Sequence, residues 1–340
     1  MTVPDTLPAA GADVARWLGP LAALGSSLTW AYGSAVYAQT ARRVGSIEVN
    51  FTRSLLVWPV FALAALLTVP PGALALLSLE RLGWLTLSML CSYGIGDAVF
   101  YLSAVRLGTP TALAICSAYP VWATILGAVA LGEPVGPGRL VGTLLCIAGV
   151  AWLILLQAQP PAGAEREAGP DPSNPNPAST EAAQRRPVQG VLLAVLTSLL
   201  WAGNTYAVRR GATGLPLMLA NTVRYGLAVV LLFALWLRIQ RARRRERARR
   251  PEATAPDERL LGRGPLLRAF LPTVLIEAFC GSSIFVYGLS HADLSVAAPL
   301  SSLAPLFAVP VGLVLGTERL HLRRAVAIAV TVAGVVLLVS

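Results

Sequence analysis

The sequence predicts an all-α membrane protein with ten transmembrane helices arranged as two inverted five-helix repeats. Three observations carry that prediction. Of the 340 residues, 55% are hydrophobic and only 13% are charged, with a mean hydropathy of +0.65, outside the balance of a soluble globular domain. Ten apolar stretches approach the roughly 20 residues needed to cross a bilayer. And the run NFTRSLLVW at 50–58 returns as NTVRYGLAV at 221–229, each copy carrying an arginine inside an apolar segment.

Taken in order, an N-terminal tail (1–18) holds Asp5, Asp13 and Arg16 and shows no small-residue cleavage site, so the first apolar run is expected to be retained as a span. Spans follow at about 20–40, 47–69, 82–105, 109–131 and 138–157, a first repeat of 19–157 bounded by Pro, Gly or charge. Residues 158–187, rich in Pro, Ala and Glu, cannot bury a core and are expected to be a disordered linker. The second repeat, 188–340, has spans at about 188–208, 216–237, 266–289, 294–315 and 322–339, with an arginine-rich insertion at 238–264. Cys91, Cys116, Cys146 and Cys280 all fall in spans without CxxC spacing, which argues against a disulfide or metal site.

Register ties the halves together. Ser27, Trp30, Asn50 and Arg53 match Ser198, Trp201, Asn221 and Arg224 at a constant offset of 171 residues. Phe100, Ser117, Pro120, Glu133, Arg139 and Gly149 match Phe285, Ser302, Pro305, Glu318, Arg324 and Gly334 at an offset of 185. The 14-residue difference is the insertion after the seventh span. Five crossings are an odd number, so the second copy enters from the opposite face, as in secondary transporters. All 27 basic residues are arginines. They lie between apolar spans, so the net charge of +10 reads as a topology signal and not as a nucleic-acid surface. The face shared by the two termini holds five (Arg16, Arg81, Arg139, Arg209, Arg210) and the other face twenty, ten of them in the insertion. The positive-inside rule then places both termini outside. The run RARRRERARR also suits anionic lipid.

Each copy opens with a Trp in its first helix and an Arg in its second. The copies end in LGEPVGPGRLVGTLLCIAGVAWLIL and LGTERLHLRRAVAIAVTVAGVVLLV. In that order of motifs the chain resembles the EamA-type branch of the drug/metabolite transporter superfamily over nearly its whole length. The resemblance implies ten helices, proton- or gradient-coupled movement of small metabolites, often export, and a cavity lined by helices 1, 3, 4, 6, 8 and 9. It also implies a plasma-membrane location with cytoplasmic termini, against the arginine count.

Arg53 lies about six residues into its helix, roughly 9 Å deep. It and Arg224, each with an asparagine three residues earlier (Asn50, Asn221), read as anchors that orient the halves or as a grip on an anionic substrate. Asp97 stands mid-span with Tyr93 and Tyr101 one turn away on either side, and Glu277 holds a comparable depth in the eighth span, near Ser282. Intramembrane carboxyls are expensive to bury, and both are proton-coupling candidates. The alternative is a bland hydrogen bond across the bundle. Trp30, Ser34 and Tyr37 form one stripe and Trp201, Asn204 and Thr205 its counterpart, either a cavity wall or packing. Pro120 and Pro305, with Pro299 and Pro310 beside the latter, break or bend spans four and nine, as gates or static kinks. Gly138-xxx-Gly142 is a close-packing signal in span five. Glu133 and Glu318 read as turn chemistry, and His291 and His321 as structural or solvated. Nothing resembles a phosphate-binding loop, nucleophile elbow or metal cluster, so no cofactor or enzymatic step is expected. The expected partners are a small-molecule substrate and membrane lipid, with a monomer-capable chain. Lipid or lipid-linked-sugar translocation is the alternative function, and a membrane scaffold the third.

Overall fold

The computed structural model describes residues 9–107, 109–157, 177–249, 260, 264–304, 306–307 and 322–339, and among them there is no strand. The helices are α1 (Ala9–Val44), α2 (Ser46–Thr68), α3 (Leu79–Met89), α4 (Gly96–Leu107), α5 (Thr109–Cys116), α6 (Tyr119–Leu131), α7 (Pro137–Gln157), α8 (Pro177–Ala212), α9 (Leu217–Arg249), α10 (Gly264–Thr273), α11 (Ser282–His291), α12 (Leu294–Ser301) and α13 (Leu322–Val339). Six stretches of the described residues are long and apolar enough to cross a membrane: Ser46–Thr68, Ala114–Leu131, Pro137–Leu156, Val188–Ala212, Leu217–Arg245 and Gly264–His291. The perimeter is apolar and open, with Leu66 80% and Val129 81% exposed, as lipid-facing surface must be. The molecule is an integral, multi-pass membrane protein.

Four of the predicted spans are interrupted. The third is α3, a π-helical stretch over Leu90–Gly94, then α4. The eighth is α10, a π-helical stretch over Val274–Gly281, then α11. These two stretches overlap at the 185-residue offset, and π segments concentrate at functional sites. The fourth span stops at Cys116 and restarts at Tyr119, so Pro120 stands in the first turn of α6, where its missing N–H costs nothing, and not at a mid-helix kink. The ninth breaks at the equivalent point, Ser302–Leu303, after α12. Pro305, Pro310, Glu318, His321 and the side chain of Arg324 lie outside the described residues. Helix also reaches further than expected at the ends. α8 starts at Pro177, so residues 177–187, expected to be disordered linker, are helical, and α9 runs through the insertion to Arg249. At 1.5 Å per residue its 33 residues span roughly 50 Å, beyond a ~30 Å hydrocarbon core. Gly45, with φ 92°, makes the one-residue turn between α1 and α2 that a side chain would strain.

Helices pair across the halves: α7 with α13, α2 with α9, α6 with α12, α8 with α3 and α4, and α1 with α11. Small residues make the seams. Gly142 faces the backbone of Gly334 and Leu338, and Gly149 that of Ala327 and Thr331, so α7 and α13 run antiparallel. Along α1, Gly19 meets His291, Ala23 meets Gly288 and Gly33 meets Glu277, again antiparallel.

Candidate functional site

The inward face of α2 is polar. Asn50, Arg53 and Ser54, spaced for one helix face, are all buried, and Arg53 is only 1% exposed. Burial at that depth overturns anchoring by snorkelling, because the guanidinium reaches no water. Instead it is held from two sides. Its Nη2 lies 3.9 Å from Asp97 Oδ2 and its Nη1 3.7 Å from Glu277 Oε2. Nη2 also donates to Asn50 Oδ1 at 3.1 Å, and Asn50 Nδ2 in turn donates to Asp97 Oδ2 at 3.1 Å and to the Tyr93 carbonyl at 3.4 Å. The rings of Tyr93 and Tyr37 stack on the guanidinium, their centroids 4.0 and 4.7 Å from Cζ.

Local structure explains how the acids arrive there. Asp97 occupies the first turn of α4, where exposed backbone N–H groups favour a negative charge. Glu277 lies inside the π stretch before α11. Its side chain passes directly over Gly33 of α1, where a Cβ would collide with the Glu277 stem, so this approach needs glycine. Glu277 Oε2 has no hydrogen-bond donor, only the guanidinium. The two acids are not repeat mates: at the 185-residue offset Asp97 corresponds to Ser282 and Glu277 to Ser92.

A hydroxyl chain leads away from this pair. Tyr93 and Tyr225 share a hydrogen bond at 3.1 Å, and Tyr225 also bonds Ser282 Oγ at 2.5 Å and the Ala278 carbonyl at 3.2 Å. Tyr37 donates to the Thr273 carbonyl at 3.4 Å. Arg224, 2% exposed, donates to Asn221 Oδ1 at 3.1 Å and to Ser88 Oγ at 3.4 Å.

Thus the sequence candidates Asn50, Arg53, Asp97, Glu277, Tyr37, Tyr93 and Ser282 meet in one place, with Asn221 and Arg224 beside it. Others go elsewhere. Trp30 packs against the apolar cluster around Tyr37 and Val49. Trp201, by contrast, reaches the charged site, its indole hydrogen-bonded to Asp97 and 3.3 Å from where a Cβ on Gly96 would lie, with Phe100 at 5.6 Å and Tyr119 at 6.3 Å beside it; Thr205 bonds its own helix at the Ala202 carbonyl. Asn204 is buried beside them, its Oδ1 without a donor. The side chains of Ser34 and Tyr101 lie outside the described residues. A cleft of about 720 Å³ opens at one end of the bundle, lined by residues such as Pro70, Leu76, Leu217, Val286 and His291, and none of the cavity candidates lines it.

The sequence reading passed over two polar anchors. Tyr225, fully buried, stands next to Arg224 and matches Ser54 at the 171-residue offset, a paired hydroxyl that could have marked it. Glu48, 4% exposed, accepts from Trp236 Nε1 at 2.5 Å, Gln240 Nε2 at 3.1 Å and the Leu260 N–H at 3.0 Å, fastening the start of α2 to the far end of α9. The turn residues behave as expected of caps. Glu133 accepts from the Leu294 and Ser295 N–H groups at the start of α12, and Arg139 bonds Asp293 at 2.7 Å. Burial raises the Glu133 carboxyl above its usual range, opposed by those N–H bonds.

A charged cluster sealed in the interior of a polytopic helical bundle marks a functional site of an integral membrane protein. The model of the EamA-like transporter family matches residues 17–155 and again 188–340, so the chain belongs to that family, within the drug/metabolite transporter superfamily. It is 27% identical over 130 residues to an uncharacterized transporter of Archaeoglobus fulgidus, a match covering 38% of this chain and 46% of that one. The chain thus spans about half the length of that curated relative. A solved protein crystal structure superposes with a TM-score of 0.62 at 17% identity, covering 96% of this chain and 97% of that one, which shows a shared fold.

Proposed function

We propose that the chain is a proton-coupled secondary transporter, working as an exporter of small organic metabolites or drugs by alternating access between two inverted five-helix halves. The observation that carries the coupling is the single guanidinium of Arg53 set between two carboxylates, Asp97 at 3.9 Å and Glu277 at 3.7 Å. One positive charge balances one carboxylate, so the other sits in the apolar interior at low cost only with a proton on it. Arg53 and Asp97 both come from the first half and Glu277 from the second, so rocking one half against the other changes the separation of Glu277 from Arg53. A carboxylate that parts from the guanidinium takes a proton, and releases it on return. That exchange is what an antiporter needs.

Ten crossings in two inverted halves, 19–157 and 188–340, suit this reading. The pairing of α2 with α9 and of α7 with α13 joins each helix to its repeat mate, α6 with α12 joins parts of the matched spans four and nine, and the pairings of α1 with α11 and of α8 with α4 exchange under the same relation. The matching breaks at Ser117–Ala118 and Ser302–Leu303 would serve as gates, with Pro120 and Pro305 just beyond them. The arginine asymmetry orients the plasma-membrane protein with its termini outside, and one protomer, surrounded by lipid, holds a complete site.

The test is proton movement in liposomes reconstituted with purified protein, wild type beside Asp97→Asn and Glu277→Gln, while metabolites and drugs are added singly. Compound-evoked proton flux lost in either variant is the expected result. Flux of equal size in both variants sinks the coupling role, and silence across the panel, with scrambling of labelled lipid instead, replaces the reading by lipid translocation.

A further inference from the structure

The two arginines that the repeat makes equivalent do not have equivalent surroundings. Arg53 meets two carboxylates. The positions that repeat symmetry would offer Arg224 in their place are Ser282 and Ser92, and both hydroxyls are engaged elsewhere, with Tyr225 and with the Ser88 carbonyl. The hydrogen bonds of Arg224 go to Asn221 and Ser88, both neutral, and no described carboxylate lies within 4.0 Å. A guanidinium 2% exposed and without a counter-ion is an expensive thing to keep in a membrane interior. Its cost is relieved when an anion arrives.

We propose that Arg224 is the anion subsite of the transport pathway and that the transported compound carries a carboxylate. This rests on the transport reading above. Arginine presents paired donors in a plane that matches a carboxylate. The approach is built from both walls of the open cleft. Leu217 on α9 lines it, its carbonyl is bonded by Asn221, and Arg224 follows seven residues beyond Leu217, roughly 10 Å deeper along the helix. On the facing wall Val286 lines the cleft and Ser282, one turn deeper, bonds Tyr225, the neighbour of Arg224. Tyr93 joins the two charged centres, stacking on Arg53 and bonded to Tyr225. An anion at Arg224 therefore communicates with the proton-carrying pair through Tyr225 and Tyr93, while Arg53, already held by two acids, is left to the proton.

The experiment measures thermal stability and proteoliposome uptake for wild type, Arg224→Met and Arg224→Lys, with phenylacetate and decanoate each set beside its own amide, in chloride and in gluconate buffer. In the wild type a carboxylate is expected to raise Tm and its amide is not; phenylacetate acting places a soluble organic acid at the site, decanoate alone a lipid carboxylate. Arg224→Met is expected to be more stable than wild type when empty and to lose the carboxylate shift. Arg224→Lys is expected to keep the shift with affinity roughly 10- to 100-fold weaker, the worth of a charge-assisted bond. Equal shifts from acid and amide, a carboxylate shift that survives in Arg224→Met, or an empty Arg224→Met less stable than wild type would overturn the assignment. So would a shift produced wholly by chloride. Uptake of amides but not acids refutes the anion subsite and leaves transport standing, whereas no uptake of any compound in any protein removes the transport reading itself.

Discussion

Asp97 and Glu277 share one counter-ion, so their effects on stability should not add. Replacing Asp97 by Asn leaves Arg53 facing Glu277, and replacing Glu277 by Gln leaves it facing Asp97, so each single variant should cost about 1 kcal/mol. The double variant strands a buried guanidinium and should cost about 3–5 kcal/mol. Thermal unfolding of the detergent-solubilised singles and double reads this directly; additive losses would mean that Arg53 does not depend on the pair. The pairing was only half legible in the sequence. Asp97, Glu277 and Arg53 each stood out as charges inside apolar runs. Their convergence did not, because periodicity tells which face of a helix a residue takes and not which helix lies opposite. The 185-residue register pointed away from it, since it matches each acid to a serine. Gly33, whose missing side chain admits Glu277, carries no sequence signal at all.

At the scale of helices, the small-residue motif in the fifth crossing resolves into two different glycines. A Cβ on Gly142 would stand 2.8 Å from the Gly334 carbonyl oxygen and 2.9 Å from the Leu338 nitrogen, both backbone, whereas one on Gly138 would meet the Leu337 carbonyl oxygen at an ordinary 3.6 Å. Gly142→Ala should therefore cost about 1–3 kcal/mol by forcing α7 and α13 apart, and Gly138→Ala should be near neutral. Equal unfolding temperatures would contradict the seam. The cap that Glu133 places on α12 supplies a pH test. Its carboxyl is raised above its ordinary 4.5 chiefly by burial. A raised folded-state value means stability that is complete below the ordinary value and declines as pH rises through the higher one. The Tm of wild type relative to Glu133→Gln should fall on going from about pH 4 toward neutrality, and a difference that grows with pH would show the ionised cap to be the favoured form. Span positions were readable from apolar length, but the interruptions were not. The π stretches at 90–94 and 274–281 depend on how the helices pack around the charged centre, which local propensity does not encode.

For the whole molecule, helix pairing rests on contacts between particular helices, while the membrane sidedness depends on charge alone. The five arginines on the face with the termini are also less free than their number suggests. Arg139 is paired with Asp293 and Arg210 with Glu80, and Arg209 caps the carbonyls of Leu289 and Ser290 at the end of α11. Two glycines at opposite ends of the bundle make the test possible without disturbing packing. Gly72, between α2 and α3, and Gly264, at the start of α10, have nothing within 4 Å of where a Cβ would lie. In a background with the four native cysteines replaced, Gly72→Cys should react with a membrane-impermeant maleimide on intact cells. Gly264→Cys should react only after permeabilisation. The reverse pattern would put the termini in the cytoplasm, as relatives are usually drawn, and the arginine-rich extension of α9 outside. The 720 Å³ cleft, which opens at the Gly72 end, would then face the cytoplasm, and the direction in which Arg224 is reached would reverse with it.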